Sequence, residues 1–483
     1  MYRHKNKLVH MIVLFFIVMI PITELSAWQN SLADVSPLIK QAKQNEQEQK
    51  YDQAIETWDM IRSILEANLG GDHPLVASSL YNMGRLKVVQ GKYDEAEPDY
   101  LRSLKIQENK LAADHLDLAS SRRGLAILYE HKKQYSKAEP LFQSSLKIRE
   151  QKLGTDSLDI VFDLNLLGDF YKKQYKYSQA ESNYLRALKI REEKLGETHL
   201  DVANSLNLLT VLYEAQGRYR EAEKLCKQSL EIKEKLLERN HPRIASGYHN
   251  LATIYVDQGN YEAAEPIYQR SLQIWEQNNK PDGLEVATCL NNLAGLYRFM
   301  NKSREAEQFY LRSLKIREEK LGIRDIPVAD SLNNLASLYR EQGKFAVAEP
   351  LFLRSIKIFE AISGADDPRL AVVLSNLALL YHDQEKLEEA EALLKRSLRI
   401  RKQNLGNDHP DVALNLNNLA GLYNSQKNYA QAETLYEQSL AIRTNRFGAE
   451  HPLVAESLGN LAVLKVSLQE YNDAERLYLR ALH

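Results

Sequence analysis

Cysteine is nearly missing from this chain: two in 483 residues, at Cys226 and Cys289. A disulfide framework is thereby excluded, and both thiols are expected as buried packing. Net charge is nearly missing too. Charged residues make up 27% of the chain but cancel to −2, which leaves no basic stripe for a nucleic acid. Lysine and arginine interleaved with glutamate, as over Lys315–Lys320, belong on a solvated helix face. Long apolar runs are absent apart from Leu8 to Ile20, whose 13 residues are too few to span a bilayer as a helix. No nucleophile elbow, phosphate loop or paired-carboxylate motif occurs. The expectation is a protein without intrinsic catalysis, cofactor or metal.

What the chain has in abundance is one text, repeated. Asn291-Asn292-Leu293-Ala294-Gly295-Leu296-Tyr297 returns 42 residues later as Asn333-Asn334-Leu335-Ala336-Ser337-Leu338-Tyr339. One alanine keeps that step without a slip from Ala54 through Ala96, Ala264, Ala306 and Ala348 to Ala474, eleven times in all. A fixed period in this range marks a solenoid. In the first half of each unit Leu290, Leu293, Ala294 and Tyr297 fall at i, i+3, i+4, i+7, a helical stripe. In the second half Ala306, Phe309, Tyr310, Ser313 and Leu314 repeat the spacing. Short polar breaks such as Gln216-Gly217-Arg218 and Gln258-Gly259-Asn260 separate the two, with glycine closing the first helix in the left-handed conformation. Each unit therefore reads as a helical hairpin, and the chain as all-α. Connectors such as Leu405-Gly406-Asn407-Asp408-His409-Pro410 stop the second helix, cap the next and place proline in its first turn. Prolines 98, 140, 266 and 350 are expected near the start of second helices, where a missing N–H is tolerated.

Leu293, Ala294, Tyr297, Ala306 and Tyr310 resemble the signature of the tetratricopeptide repeat, over nearly all of the chain after its first residues. The long period, the Leu-Gly-x-x-His-Pro connector and the Asn-Asn-Leu-Ala motif are similar to the variant found in kinesin light chains and many bacterial proteins. The resemblance implies a right-handed superhelical solenoid of antiparallel hairpins that binds an extended peptide or protein segment in its concave groove. A motor-linked role is not expected, because the heptads by which light chains join heavy chains are missing.

Residues 1–27 are a different text. A basic start (Arg3, His4, Lys5, Lys7), the apolar run, Pro21 and then Leu25-Ser26-Ala27 read as a secretory signal peptide cleaved after Ala27. Removing Arg3, Lys5, Lys7 and Glu24 takes the net charge from −2 to −4. The expected location is secreted or periplasmic, with an uncleaved membrane anchor as the alternative. Residues 28–50 are expected to form a polar cap, with a degenerate first helix from about Ser36. The array then occupies residues 51–483 and ends inside a second helix, an open end that suggests self-association. Two further readings are an envelope assembly protein stacking through that end, and an accessory factor for an enzyme or secretion machine.

Histidines 73, 115, 199, 241, 409 and 451 recur in register, one unit or more apart. Metal ligands must converge to about 2 Å from one ion, so these are expected in connectors and caps instead. The asparagines are the candidate site. Asn250, Asn292, Asn334, Asn376 and Asn418 share one slot on the first helix, opposite its core stripe. In the related proteins this stripe lines the groove, and a carboxamide can satisfy both halves of a peptide unit. Arg298 and Arg340 lie one turn beyond, placed to pair with an acidic ligand group. The alternative is that the asparagines join neighbouring helices.

Overall fold

The computed structural model describes residues 22–279 and 281–482; most of the expected signal peptide lies outside the described residues. Among the described residues there are twenty-two α-helices and no strand. The chain divides into two compact units, residues 1–194 and 195–483.

In the first unit, α1 (Ile22–Gln47) pairs with α2 (Tyr51–Leu69), α3 (Pro74–Val89) with α4 (Tyr93–Lys110), α5 (Leu116–His131) with α6 (Tyr135–Leu153), and α7 (Val161–Lys173) with α8 (Tyr177–Leu195). The second unit contains seven hairpins: α9 (Leu200–Ala215) and α10 (Tyr219–Leu236), α11 (Pro242–Asp257) and α12 (Tyr261–Asn279), α13 (Leu284–Phe299) and α14 (Ser303–Leu321), α15 (Ile326–Glu341) and α16 (Phe345–Ser363). It continues with α17 (Leu370–Asp383) and α18 (Leu387–Leu405), α19 (Pro410–Ser425) and α20 (Tyr429–Phe447), and α21 (Pro452–Ser467) and α22 (Tyr471–Leu482). The first helix of each hairpin is here called A and the second B.

One expectation fails at the amino-terminal side. Helix α1 starts at Ile22, not near Ser36, and runs through Pro37. No breaker occurs between Ile22 and Ser36, and Val35 and Ala42, two turns apart, are both buried in the first core. The prolines of helix B also sit deeper than expected. Pro98 is the sixth residue of α4, past the first turn, so the carbonyl of Asp94 loses its intrahelical donor.

The connectors behave as their residues dictate. His73, His115, His199, His241, His409 and His451 each precede a helix A, and each ring Nδ1 accepts the N–H of the residue two along, at 3.0–3.2 Å. Each caps one of the orphan donors of a helix start. At the A-to-B turn the backbone is left-handed in every hairpin, at residues 49, 91, 133, 175 and so on to 469. Glycine fills that slot at Gly91, Gly217, Gly259 and Gly343; elsewhere Gln49, Lys133, Tyr175, Asn301, Glu385, Lys427 and Gln469 are held at φ between 56° and 64°.

The core is built from the repeated small residues. All eleven alanines of the register are buried. Beside them runs a row of buried serines that the sequence reading had placed among the apolar residues. Ser313 Oγ donates to the Ala287 carbonyl at 2.7 Å, and Ser271, Ser355 and Ser439 make the same bond to Ala245, Ala329 and Ala413. The hydroxyl thus ties helix B to helix A within one hairpin. Successive hairpins are tied by tyrosine: Tyr297 donates to Glu265 at 2.7 Å, Tyr339 to Glu307 at 2.9 Å and Tyr381 to Glu349 at 2.9 Å. Arg312–Glu276 and Arg354–Glu318 pairs, at 2.7 and 2.6 Å, add a second link. Part of the balanced charge of the chain is engaged in such neighbour contacts.

The second unit also makes a contact far apart in sequence. The turn at Gly217 lies against His451 and Pro452, so close that a Cβ on Gly217 would meet His451 Nε2 at 3.2 Å. His451 is the one capping histidine that is buried.

Candidate functional site

On each helix A the core stripe faces helix B, which leaves the asparagine slots on the opposite side. In the second unit these slots come together across hairpins. Asn376 Nδ2 donates to Asn333 Oδ1 at 2.9 Å, and Asn334 Nδ2 to Asn291 Oδ1 at 3.1 Å. Asn292 Nδ2 meets His249 Nε2 at 2.9 Å. Within a hairpin, Asn333 Nδ2 donates to Asn334 Oδ1 and Asn291 Nδ2 to Asn292 Oδ1, both at a longer 3.4 Å. Three of the five expected site asparagines, Asn292, Asn334 and Asn376, are therefore rungs between neighbouring helices A. Each spends one N–H on the preceding hairpin.

Asn250 and Asn418 differ: neither forms such a rung among the described residues. The slot that would receive Asn418 carries Ser375, whose hydroxyl is already engaged with the Ala371 carbonyl at 2.9 Å and Ser397 at 3.0 Å. Asn250 borders a cavity of about 350 Å³ with His249, Trp275 and Glu285. Asn418 borders one of about 280 Å³ with His382, Asn417, Glu456 and Asn460. A third cavity, of about 270 Å³, lies against Asn333, Asn334, Asp330 and Arg369. The glycines beside the ladder leave space that a Cβ would fill at ordinary contact distance. A Cβ on Gly295 or Gly421 would touch the Tyr310 or Tyr436 hydroxyl at 3.6 or 3.5 Å.

The two expected arginines are already engaged. Arg298 pairs with Glu341 of the next hairpin at 3.6 Å and lies over the Phe299 ring; Arg340 pairs with Asp383 at 3.3 Å. A ligand carboxylate must compete with these partners. Two hairpins earlier the slots of the Arg298–Glu341 pair hold Glu214 and Asp257, so that like charges face each other. Burial, with Asp257 as a smaller cause, pushes the Glu214 carboxyl up to about 7; burial raises Asp257 as well. Sequence reading missed this pair, although an acid at Glu214, in the slot that holds Arg298 and Arg340 farther along, is a visible signal. Cys226 and Cys289 are buried, and burial pushes both thiols up to about 12. Among the described residues no three His, Cys, Asp or Glu side chains converge to hold a metal, and no helix is long and apolar enough to cross a membrane.

The profile of the tetratricopeptide repeat matches residues 82–151, 162–235, 243–319, 327–403 and 411–482. The chain belongs to the tetratricopeptide repeat family. No curated protein matches it. Among solved structures it is similar to BtubC (BKLC) from P. vanneervenii, at 25% identity and a TM-score of 0.40, over 48% of this chain and 92% of that one. It is also similar to the apo form of RapI, at 17% identity and a TM-score of 0.46, over 59% of this chain and 97% of that one. The repeats of the second unit thus present a polar face that is partly self-satisfied and partly open.

Proposed function

We propose that this tetratricopeptide repeat protein is an exported scaffold that holds an extended peptide or protein segment against the helix A face of its second unit. The site comprises Asn250, Asn292, Asn334, Asn376 and Asn418, with Arg298 and Arg340 at its edge. The observation that carries the reading is the pair of carboxamides outside the rungs, Asn250 and Asn418, each beside a cavity. A free carboxamide offers a donor and an acceptor and so matches a peptide unit. Neighbouring helices lie roughly 8–10 Å apart, and an extended peptide advances about 3.3 Å per residue, so each hairpin meets about every third ligand residue. Export rests on the amino-terminal text alone, which predicts a mature chain beginning at Trp28 outside the cytoplasm.

The test is capture of partners from the exported fraction by the intact protein and by an Asn250→Ala, Asn418→Ala double variant. Lost capture with unchanged melting supports the site. Equal capture by both proteins overturns it. Amino-terminal sequencing that found Met1 on membrane-bound protein would reverse the location in favour of an anchor.

A further inference from the structure

The rungs form one hydrogen-bonded chain with a direction. Taken in order, the N–H of Asn376 goes to Asn333, that of Asn333 to Asn334, that of Asn334 to Asn291, and that of Asn291 to Asn292. The last N–H, from Asn292, ends on the ring nitrogen of His249. Every amide donates toward His249, the four after Asn376 also accept from the link before, and the series needs a lone pair at its end. A neutral imidazole with its proton on Nδ1 supplies that lone pair at Nε2. An imidazolium does not, because both of its nitrogens carry protons.

We infer that His249 sets the polarity of the asparagine ladder, so that protonating this one side chain turns over the carboxamides of three hairpins and makes the proposed site sensitive to pH. The step is local at each link. The new Nε2–H faces the Asn292 N–H, two donors with no acceptor, so Asn292 must turn its amide to present Oδ1. Its Nδ2 then faces Asn291, which must turn in the same way, and the inversion passes through Asn334 and Asn333 to Asn376. Each inner amide keeps two partners and Asn376 keeps its one, so the chain has two complete states and is costly in any mixture of them. What changes is which group each side chain offers to a bound segment.

The surroundings favour the neutral state. His249 sits on α11 with its ring edge-on to Tyr268 of α12, the centroids 5.3 Å apart. It shares its cavity with Trp275 of α12 and Glu285 of α13. Across α10, Cys226 faces the Gly247 carbonyl and not the ring. Asp257, eight residues along α11, and Glu214 on α9 both act on the hydroxyl of the same Tyr268. Burial holds the His249 ring below the usual histidine range, so the inversion belongs to mildly acidic conditions.

The inference rests on the reading that this face binds the ligand, but its test needs no ligand. The full chain is labelled with ¹⁵N-asparagine, and the side-chain NH₂ signals of Asn291, Asn292, Asn333, Asn334 and Asn376, assigned by single-site replacement, are followed from pH 8 to pH 4.5. The expected result is a shift of all five with one midpoint, that of His249, and its loss in His249→Asn, which installs the residue the following rungs carry. His249→Gln is the second variant should the first not fold. Movement of Asn292 alone, or the same shifts in both variants, overturns the proposal. A failed partner search would overturn the scaffold reading and leave this result standing.

Discussion

Glu214 shows how a single residue ties the fold to its medium. Its carboxyl titrates near 7 in the folded protein, well above an ordinary glutamate, because burial and Asp257 both oppose its charge. The folded state therefore binds this proton more tightly than the unfolded chain. Its stabilising effect is full below the unfolded value and is lost as pH rises through about 7. Glu214→Gln should exceed the parent only slightly at pH 5 and by on the order of 1 kcal/mol at pH 8.5, a figure discounted for the partial exposure of the group. Urea midpoints at the two pH values check this; a gain at pH 5 as large as at pH 8.5 would count against the assignment. The capping histidines work in the opposite sense. Each accepts through Nδ1 and so must be neutral there, and burial lowers His73, His409 and His451. The caps of these three are present above the ordinary histidine range and lost as pH falls below it.

At the scale of the helix and the turn, the left-handed slot is the clearest statement of what the hairpin requires. The geometry is the same in every unit, although glycine fills it in only a minority of them. A residue with a Cβ costs roughly 1–2 kcal/mol in that conformation, partly offset because glycine loosens the unfolded chain. Glu385→Gly and Lys427→Gly should each stabilise the second unit by about 0.5–1 kcal/mol, which chemical denaturation would register. An unchanged or lowered midpoint for both would mean that contacts of these side chains outweigh the strain. The same elements show what the sequence discloses and what it hides. Alanine at a constant step announced the hairpins, and the histidine connectors announced caps, because both follow from local spacing. The serine clamp was hidden inside an apolar stripe, since no local pattern shows that Ser313 reaches the Ala287 carbonyl. The asparagine slots were visible as a stripe. Whether an amide bonds a neighbouring hairpin or stays outside the rungs depends on the residue 43 positions back, which is Asn291 for Asn334 but Ser375 for Asn418. The early start of α1 was obscured because residues ahead of Pro37 carry no periodic signal.

For the array, neighbour contacts dominate, so stability should scale with the number of intact interfaces. The second unit departs from that rule at one place, where the Gly217 turn rests on the connector at His451 and Pro452. Removing one hairpin in register, residues 285–326, leaves every neighbour interface of the same kind as before but shifts His451 by one step relative to Gly217. The shortened protein should lose more stability than a single interface is worth, and the parent bearing Gly217→Cys and Pro452→Cys should form a cross-link that the shortened form does not. Equal cross-linking in both would show that this contact does not depend on repeat number. Most solenoids can gain or drop a unit freely, because their ends never meet. Here the chain carries its own gauge: five hairpins must separate the two partners, and a duplication or deletion between them is detected by the molecule itself as a misfit.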